Sequence, residues 1–247
     1  MLRLVCSTTA DYFDSIKPYL TTVNAFFIGE ATLFCVDCEP PAGYFDDIPR
    51  VSWQTITAEQ NHGAPEGTNS IQHGSFVQFF PDNDTIIYTD GDIIMQRPIS
   101  FAEQVWMQRF PDGVVAAGWN SGHEEKLIHE ALRLQPEVDA DELRERFGSA
   151  IDIHPCFNIG VMVATRDTWQ TIHNGYMEKW DLACETFAHR ARQQWLVCQQ
   201  LGELGIGYQV MPQWFHTHNH YGLPNGVYSH AGVACYDDRI ICFRHHF

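Results

Sequence analysis

Short apolar runs alternate with longer amphipathic segments along the chain. Residues 2–6 predict a first strand, and Asp11-Tyr12-Phe13 opens a helix running to about Thr22. Residues 32–36 predict a second strand and 51–57 a third. A polar stretch carrying Gly63, Pro65 and Gly67 reads as a surface loop, and 71–80 as helical, before Pro81-Asp82-Asn83-Asp84 turns the chain. Thr85-Ile86-Ile87-Tyr88-Thr89 is β-branched and nearly continuous, the pattern of a strand buried on both faces. Residues 114–119, 157–164, 208–211 and 239–243 predict further strands. Residues 123–135 and 141–147 predict helices, the second capped by Asp139 with Glu142 three residues on. Trp169, Ile172, Tyr176 and Trp180 recur at helical spacing as a core-facing stripe. A last helix over 185–204 ends at Gly205 and Gly207.

Strands alternating with helices imply an α/β fold, a mainly parallel sheet covered by helices on both faces, in one domain spanning 1–247. Ligands of such sheets gather beyond the carboxyl ends of the strands. That rule points to residues 7–12 and to Asp90-Gly91-Asp92.

Charge narrows the partners. The formal net charge is −16, with 31 acidic residues against 15 basic ones, so the surface repels nucleic acid and anionic membranes. A phosphate-bearing ligand then needs a local counter-charge, which a bound metal ion supplies. No apolar stretch reaches membrane-spanning length and the first residues lack a signal-peptide core, so a cytoplasmic setting is expected. Eight cysteines are scattered through apolar runs where a thiol packs; Cys35 and Cys38 form a lone CxxC, for which redox or zinc chemistry is the alternative.

Asp90-Gly91-Asp92 lies between the apolar run 85–89 and Ile93-Ile94. Two carboxylates in an apolar neighbourhood repel each other and lose hydration unless neutralised. Mn²⁺ or Mg²⁺ resolves both problems and keeps positions open for phosphate oxygens. Gly91 leaves room for the backbone to approach a ligand. The competing reading is a hairpin, since Asp-Gly is a common turn dipeptide.

Residues 81–94 resemble the DxD segment of GT-A fold glycosyltransferases, particularly the retaining glycogenin and galactosyltransferase-like group: a loop, an apolar strand, Tyr-x-Asp-x-Asp and an apolar pair. Phe157-Asn158-Ile159-Gly160-Val161-Met162 resembles the same group's Phe-Asn-x-Gly-Val-Met strand, and Arg166-Asp167-Thr168-Trp169 its continuation. The resemblance implies a Rossmann-like GT-A domain that moves a sugar from a nucleoside diphosphate sugar, a UDP-sugar by preference, to a saccharide or other hydroxyl-bearing acceptor. It implies that Asp90 and Asp92 hold the metal, with Asp90 also near the ribose. It places Thr8, Thr9 and Tyr12 on the nucleotide and Asn158 at the reacting centre, and its Asn-x-Gly block favours retention of configuration. Two positions depart from the pattern. Gln193-Gln194 stands where the group has Asp-Gln; Gln194 keeps the polar contact beneath the anomeric carbon, and a solvated helix face is the alternative. Cys242 stands where the group has its metal-binding His, so His245 or His246 is the candidate third ligand, with His246 preferred and a frayed surface pair the alternative. His216, His218, His220 and His230 read as a polar loop beside the cleft, with zinc the alternative. Arg97 and Arg244 are the candidate phosphate counter-ions.

A sugar-nucleotide pyrophosphorylase would need a glycine-rich basic loop after the first strand, which Cys6-Ser7-Thr8-Thr9-Ala10-Asp11 does not provide. A glycosyltransferase-like module that binds nucleotide-sugar without turnover is the rival of a different class. A purely structural protein is the third, and it predicts no nucleotide binding.

Overall fold

A computed structural model describes residues 1–57, 59–61, 74–109, 112–117, 126–187, 192–212, 214–217, 227–230 and 233–245. The first apolar run forms β1 (Leu2–Thr8), and a 3-10 turn (Ala10–Tyr12) leads into α1 (Phe13–Phe26), which outlasts its expected end at Thr22. Phe13, Ile16, Tyr19, Leu20 and Val23 form its buried stripe, and Val23 carries the helix past the polar Thr21-Thr22 pair. β2 (Glu30–Val36) and β3 (Val51–Ile56) follow. The helix expected over 71–80 is a 3-10 segment, Ser75–Phe79; residues 71–73 and the glycine-rich loop lie outside the described residues. Next come β4 (Thr85–Thr89), β5 (Ile93–Met95), α2 (Phe101–Met107), β6 (Gly113–Ala117), α3 (Leu127–Leu134) and α4 (Ala140–Phe147). The Asp139 carboxylate caps α4 by accepting from the backbone N–H groups of Asp141 and Glu142.

β7 (Asn158–Thr165) leads directly into α5 (Arg166–Thr186), whose Trp169, Ile172, Tyr176 and Trp180 are buried as their spacing predicts. The helix expected over 185–204 is instead the end of α5 and a separate α6 (Arg192–Glu203). Phe187 causes the break: its backbone turns extended (φ −120°, ψ 118°) so that its ring packs against Phe147 and Trp195, 5.9 and 4.8 Å away between centroids. α6 ends in a Schellman cap. Gly205, at φ +64°, donates to Gly202 O at 3.3 Å, and Ile206 N donates to Leu201 O at 2.9 Å. Gly207 belongs to the next strand, β8 (Gly207–Val210).

The last five strands among the described residues are short: β9 (His216–Thr217), β10 (Val227–His230), β11 (Val233–Tyr236), β12 (Arg239–Ile240) and β13 (Phe243–His245). The single strand expected over 239–243 is thus divided. β12 pairs with β11, whereas β13 pairs with β5 and β9, so the chain changes sheets between Ile240 and Phe243.

The main sheet has the order β3-β2-β1-β4-β7-β6-β8. β3, β2, β1 and β4 run parallel, as do β6 and β8; β7 alone is antiparallel to both of its neighbours. Successive side chains serve opposite faces. Ile86 and Tyr88 join Trp169 and Trp195 in one core, while Ile87 joins Ile16, Leu20 and Phe243 in the other. All of β4 is buried, as the continuous run requires.

α2 starts with a capping box between Ser100 and Glu103. Glu103 also takes a two-pronged bond from Arg97, at 2.9 and 2.6 Å. Burial pushes its carboxyl up, but the Arg97 and Ser100 hydrogen bonds outweigh it and hold the group below the usual glutamate range. A depressed folded-state value means this stabilisation is present above about pH 4.3, the unfolded value, and is lost as pH falls through the folded one. Glu103→Gln is expected to cost about 2 kcal/mol at neutral pH, between a surface and a fully buried pair, and to flatten the acid limb of a stability–pH curve. Urea unfolding from pH 7 to pH 3 checks it; an unchanged acid limb would show that other carboxylates dominate.

All eight cysteines are free, six of them buried. Among the described residues no helix is long and apolar enough to cross a membrane.

Candidate active site

β1 and β4 are adjacent and parallel, so their carboxyl ends open on the same side of the sheet. At the first, Thr8 is buried and its hydroxyl donates to Thr9 O at 3.2 Å; Tyr12 N donates to the same carbonyl at 3.0 Å, closing the turn. The Tyr12 ring is half exposed. Thr8, Thr9 and Tyr12 therefore form one small loop at the sheet end.

At the second, Asp90 is fixed from two sides. Its N–H donates to Gly160 O at 2.8 Å, and Tyr88 OH, two residues back on the same side of the strand, donates to Asp90 Oδ1 at 2.5 Å. Tyr19 of α1 bonds the Thr89 hydroxyl. Asp92 is exposed and Asp90 half-buried, so the expected burial of two carboxylates together does not occur: the turn projects Asp92 beyond the sheet. The hairpin alternative also fails. β4 lies between β1 and β7, while β5 pairs with β13, so Asp90-Gly91-Asp92 hands the chain from one sheet to another. Gly91 is needed for packing. A Cβ there would stand 2.9 Å from Ile16 Cδ1 and 3.1 Å from Cγ1 on α1. Gly91→Ala is therefore expected to destabilise the ligand-free protein by about 1–3 kcal/mol through overpacking, read by thermal unfolding. An unchanged midpoint would mean that Ile16 swings aside freely.

Because β7 is reversed, its amino end lies beside the carboxyl end of β4. Asn158 is buried there with Oδ1 accepting from Gly160 N at 2.8 Å, and Gln194 Oε1 of α6 accepts from Ile159 N at 3.4 Å. Asp90, Asn158 and Gln194 thus meet around three consecutive residues, 158–160. Gln193 is buried and Gln194 half-buried, so this pair is no solvated helix face.

The last described strand returns to the same place. His245 pairs with Ile93, the residue after Asp92, and Arg244 stands between Ile94 and Thr217. His246, the preferred third metal ligand, lies outside the described residues, as do His218 and His220; among the described residues no group of three His, Cys, Asp or Glu side chains converges. Cys242 is engaged elsewhere: it is fully buried with its thiol donating to Arg97 O at 3.5 Å, and burial pushes its pKa up. His216 is buried in β9, inside the fold and not in an open loop.

The two arginines separate. Arg97 is committed to Glu103 and to Ile240 O at 2.6 Å, a structural role. Arg244 Nε and its neighbour Thr217 Oγ1 are buried with no hydrogen-bond partner among the described residues. By strand alternation Arg244 shares a face with Thr217 and with Ile94, which is two residues along the chain from Asp92. Tyr88 and Thr217 are the contributors that sequence reading missed. Tyr88 carried a signal, since its position two before Asp90 puts both on one side of the strand.

No known family profile matches this chain, and no curated protein sequence does. Solved structures do. The galactosyltransferase LgtC bound to donor and acceptor sugar analogues superposes with a TM-score of 0.60 at 14% identity, over 99% of this chain and 86% of that one. An active-site mutant of LgtC gives 0.60 at 15% identity with the same coverage. Ligand-free mouse xyloside xylosyltransferase 1 gives 0.55 at 13% identity, over 88% and 87%. At such identities the likeness is one of architecture, and by it this chain has the GT-A glycosyltransferase fold.

Proposed function

We propose that the protein transfers a sugar from a nucleoside diphosphate sugar, with uridine the favoured base, to an acceptor hydroxyl, with a divalent metal ion and retention of anomeric configuration. The carrying observation is that Asp90, Asn158 and Gln194 meet at one end of a sheet whose fold is shared with a galactosyltransferase and a xylosyltransferase. Thr8, Thr9 and Tyr12, at the neighbouring strand end, take the nucleotide.

Asp90 and Asp92 are hard oxygen donors suited to Mn²⁺ or Mg²⁺, and His246 follows the residue that pairs beside them. When bound, such an ion stabilises the charge that develops on the departing diphosphate. Tyr88 orients Asp90 by holding Oδ1. Arg244 supplies a fixed positive charge to the phosphates. Asn158 already uses Oδ1 within the chain, so it offers the donor sugar its NH₂ group. Gln194, held beside Asn158 by its bond from Ile159 N, is assigned the polar contact beneath the anomeric carbon. Amides orient and hydrogen-bond but are poor nucleophiles. The acceptor oxygen therefore bonds to C1 on the face from which the diphosphate leaves, and its proton passes to the departing phosphate oxygen.

The test is incubation with a panel of UDP-sugars, Mn²⁺ and simple saccharide acceptors, with UDP release measured and the product anomer read by NMR. Release of UDP with a retained anomer is the expected result. An inverted product would overturn retention, and nucleotide binding without any UDP release would favour a binding module. Gln194→Ala is expected to lower turnover about a hundredfold while leaving UDP affinity unchanged; equal loss of both would give Gln194 a binding role only.

A further inference from the structure

The small sheet that brings β13 to Asp92 is too short to set its own alignment. β5 and β13 have three residues each and β9 has two. A one-residue slip in such a ladder turns every side chain of the slipped strand to the opposite face. Arg244 would then leave the face it shares with Ile94 and Thr217.

We propose that Gln96, assisted by Arg97, is the positioning residue that pins β13 in register and so decides which C-terminal side chains face Asp92. Gln96 follows β5 directly. Its backbone N–H donates to Cys242 O at 2.8 Å. Its side chain accepts from Ala234 N at 2.9 Å and donates to Ile241 O at 2.9 Å and Ala234 O at 3.3 Å. One residue thus holds β11 and both Ile241 and Cys242, where the chain leaves β12 for β13. Arg97 adds Ile240 O at 2.6 Å, and its own carbonyl accepts the Cys242 thiol. The Glu103 fork ties that guanidinium to α2, so the pin is anchored in the main body of the fold.

The energetic argument is that Ala234, Ile241 and Cys242 are buried, so water does not replace these partners. A slipped β13 would leave several buried backbone groups unsatisfied, each at a cost of about 1–3 kcal/mol. The sheet ladder contributes only a few bonds to oppose a slip; the Gln96 side chain adds three more at a single position.

This inference rests on the metal site proposed above, and the test separates the two. Gln96→Leu keeps the volume and removes every side-chain bond. Amide exchange in residues 240–245 is expected to accelerate at least tenfold without any ligand, while 85–89 stays unchanged. The Mn²⁺ concentration giving half of the UDP-dependent thermal stabilisation is expected to rise about tenfold, with the stabilisation recovered at saturating Mn²⁺. If Gln96→Leu does not fold, Gln96→Glu, which keeps the acceptor for Ala234 N and loses both donors, is read the same way. A merely structural Gln96 would lower the unfolding temperature and leave the Mn²⁺ midpoint unmoved, which would overturn the proposal. Unchanged exchange would overturn it as well. If the unsubstituted protein binds no nucleotide, the proposed function fails, and the exchange arm alone decides the pin.

Discussion

Asp92→Asn is expected to abolish the manganese-dependent thermal stabilisation by UDP while leaving the ligand-free protein as stable as before. Asp92 is exposed at the tip of the turn, so exchanging its carboxylate for an amide of the same shape disturbs little packing. The effect on ligand binding is large because a neutral amide is a poor ligand for a hard divalent cation. A ligand at a hundredfold excess over its dissociation constant adds about 2.7 kcal/mol to the folded state. For a chain of this size that corresponds to roughly 5–10 °C. The measurement is a thermal-shift panel of UDP, GDP, ADP and CDP, each with Mn²⁺ and with EDTA, on both proteins. A shift for one nucleotide, lost with EDTA and lost in Asp92→Asn, fixes the base and the metal together. Absence of a shift for every nucleotide in a well-folded protein would leave a likeness of fold without a donor site.

Trp169→Ala is expected to destabilise the protein by about 3–5 kcal/mol, the range for removing a large buried aromatic. Trp169 is wholly buried, its indole N–H donates to Ile86 O at 3.2 Å, and its ring meets Phe76 edge-on at 5.0 Å. Truncation opens a cavity behind β4 and removes the indole's bond to Ile86 O. The damage should travel, because the ring also packs on Tyr88, which holds Asp90. Weaker UDP–Mn²⁺ binding is therefore expected alongside the stability loss. Urea unfolding measures the first effect and the thermal-shift panel the second. A loss below about 1 kcal/mol would mean that the α5 face repacks well enough to fill the space.

Local chemistry made β4 legible, since five apolar or β-branched residues between turn signals have few other uses. The α5 stripe was legible for the same kind of reason: Trp169, Ile172, Tyr176 and Trp180 define a face without any knowledge of what it meets. The direction of β7 was not, because a strand buried on both faces has no alternation and pairs as well either way. The end of α5 was hidden because residues 185–191 contain neither Gly nor Pro; the break comes from a pocket between Phe147 and Trp195 that exists only after folding. The site divided along the same line. Asp90 and Asp92 announced themselves by composition. The return of β13 to their side could not be read, because strands of two and three residues carry no periodic signal and β5 stands some 150 residues from β13.

The place of β7 between β4 and β6 has a consequence for how cells make this protein. A ribosome delivers β1 to β4 in one stretch, then adds about 75 more residues before the strand that covers the open side of β4 is complete. At 5–20 residues per second that interval is about 4–15 s. Throughout it, Thr85-Ile86-Ile87-Tyr88-Thr89 offers an uncapped row of backbone donors and acceptors flanked by apolar side chains, a template for another nascent chain. Yield in a heterologous host should then depend on elongation speed and holdase capacity more than on the stability of the finished fold.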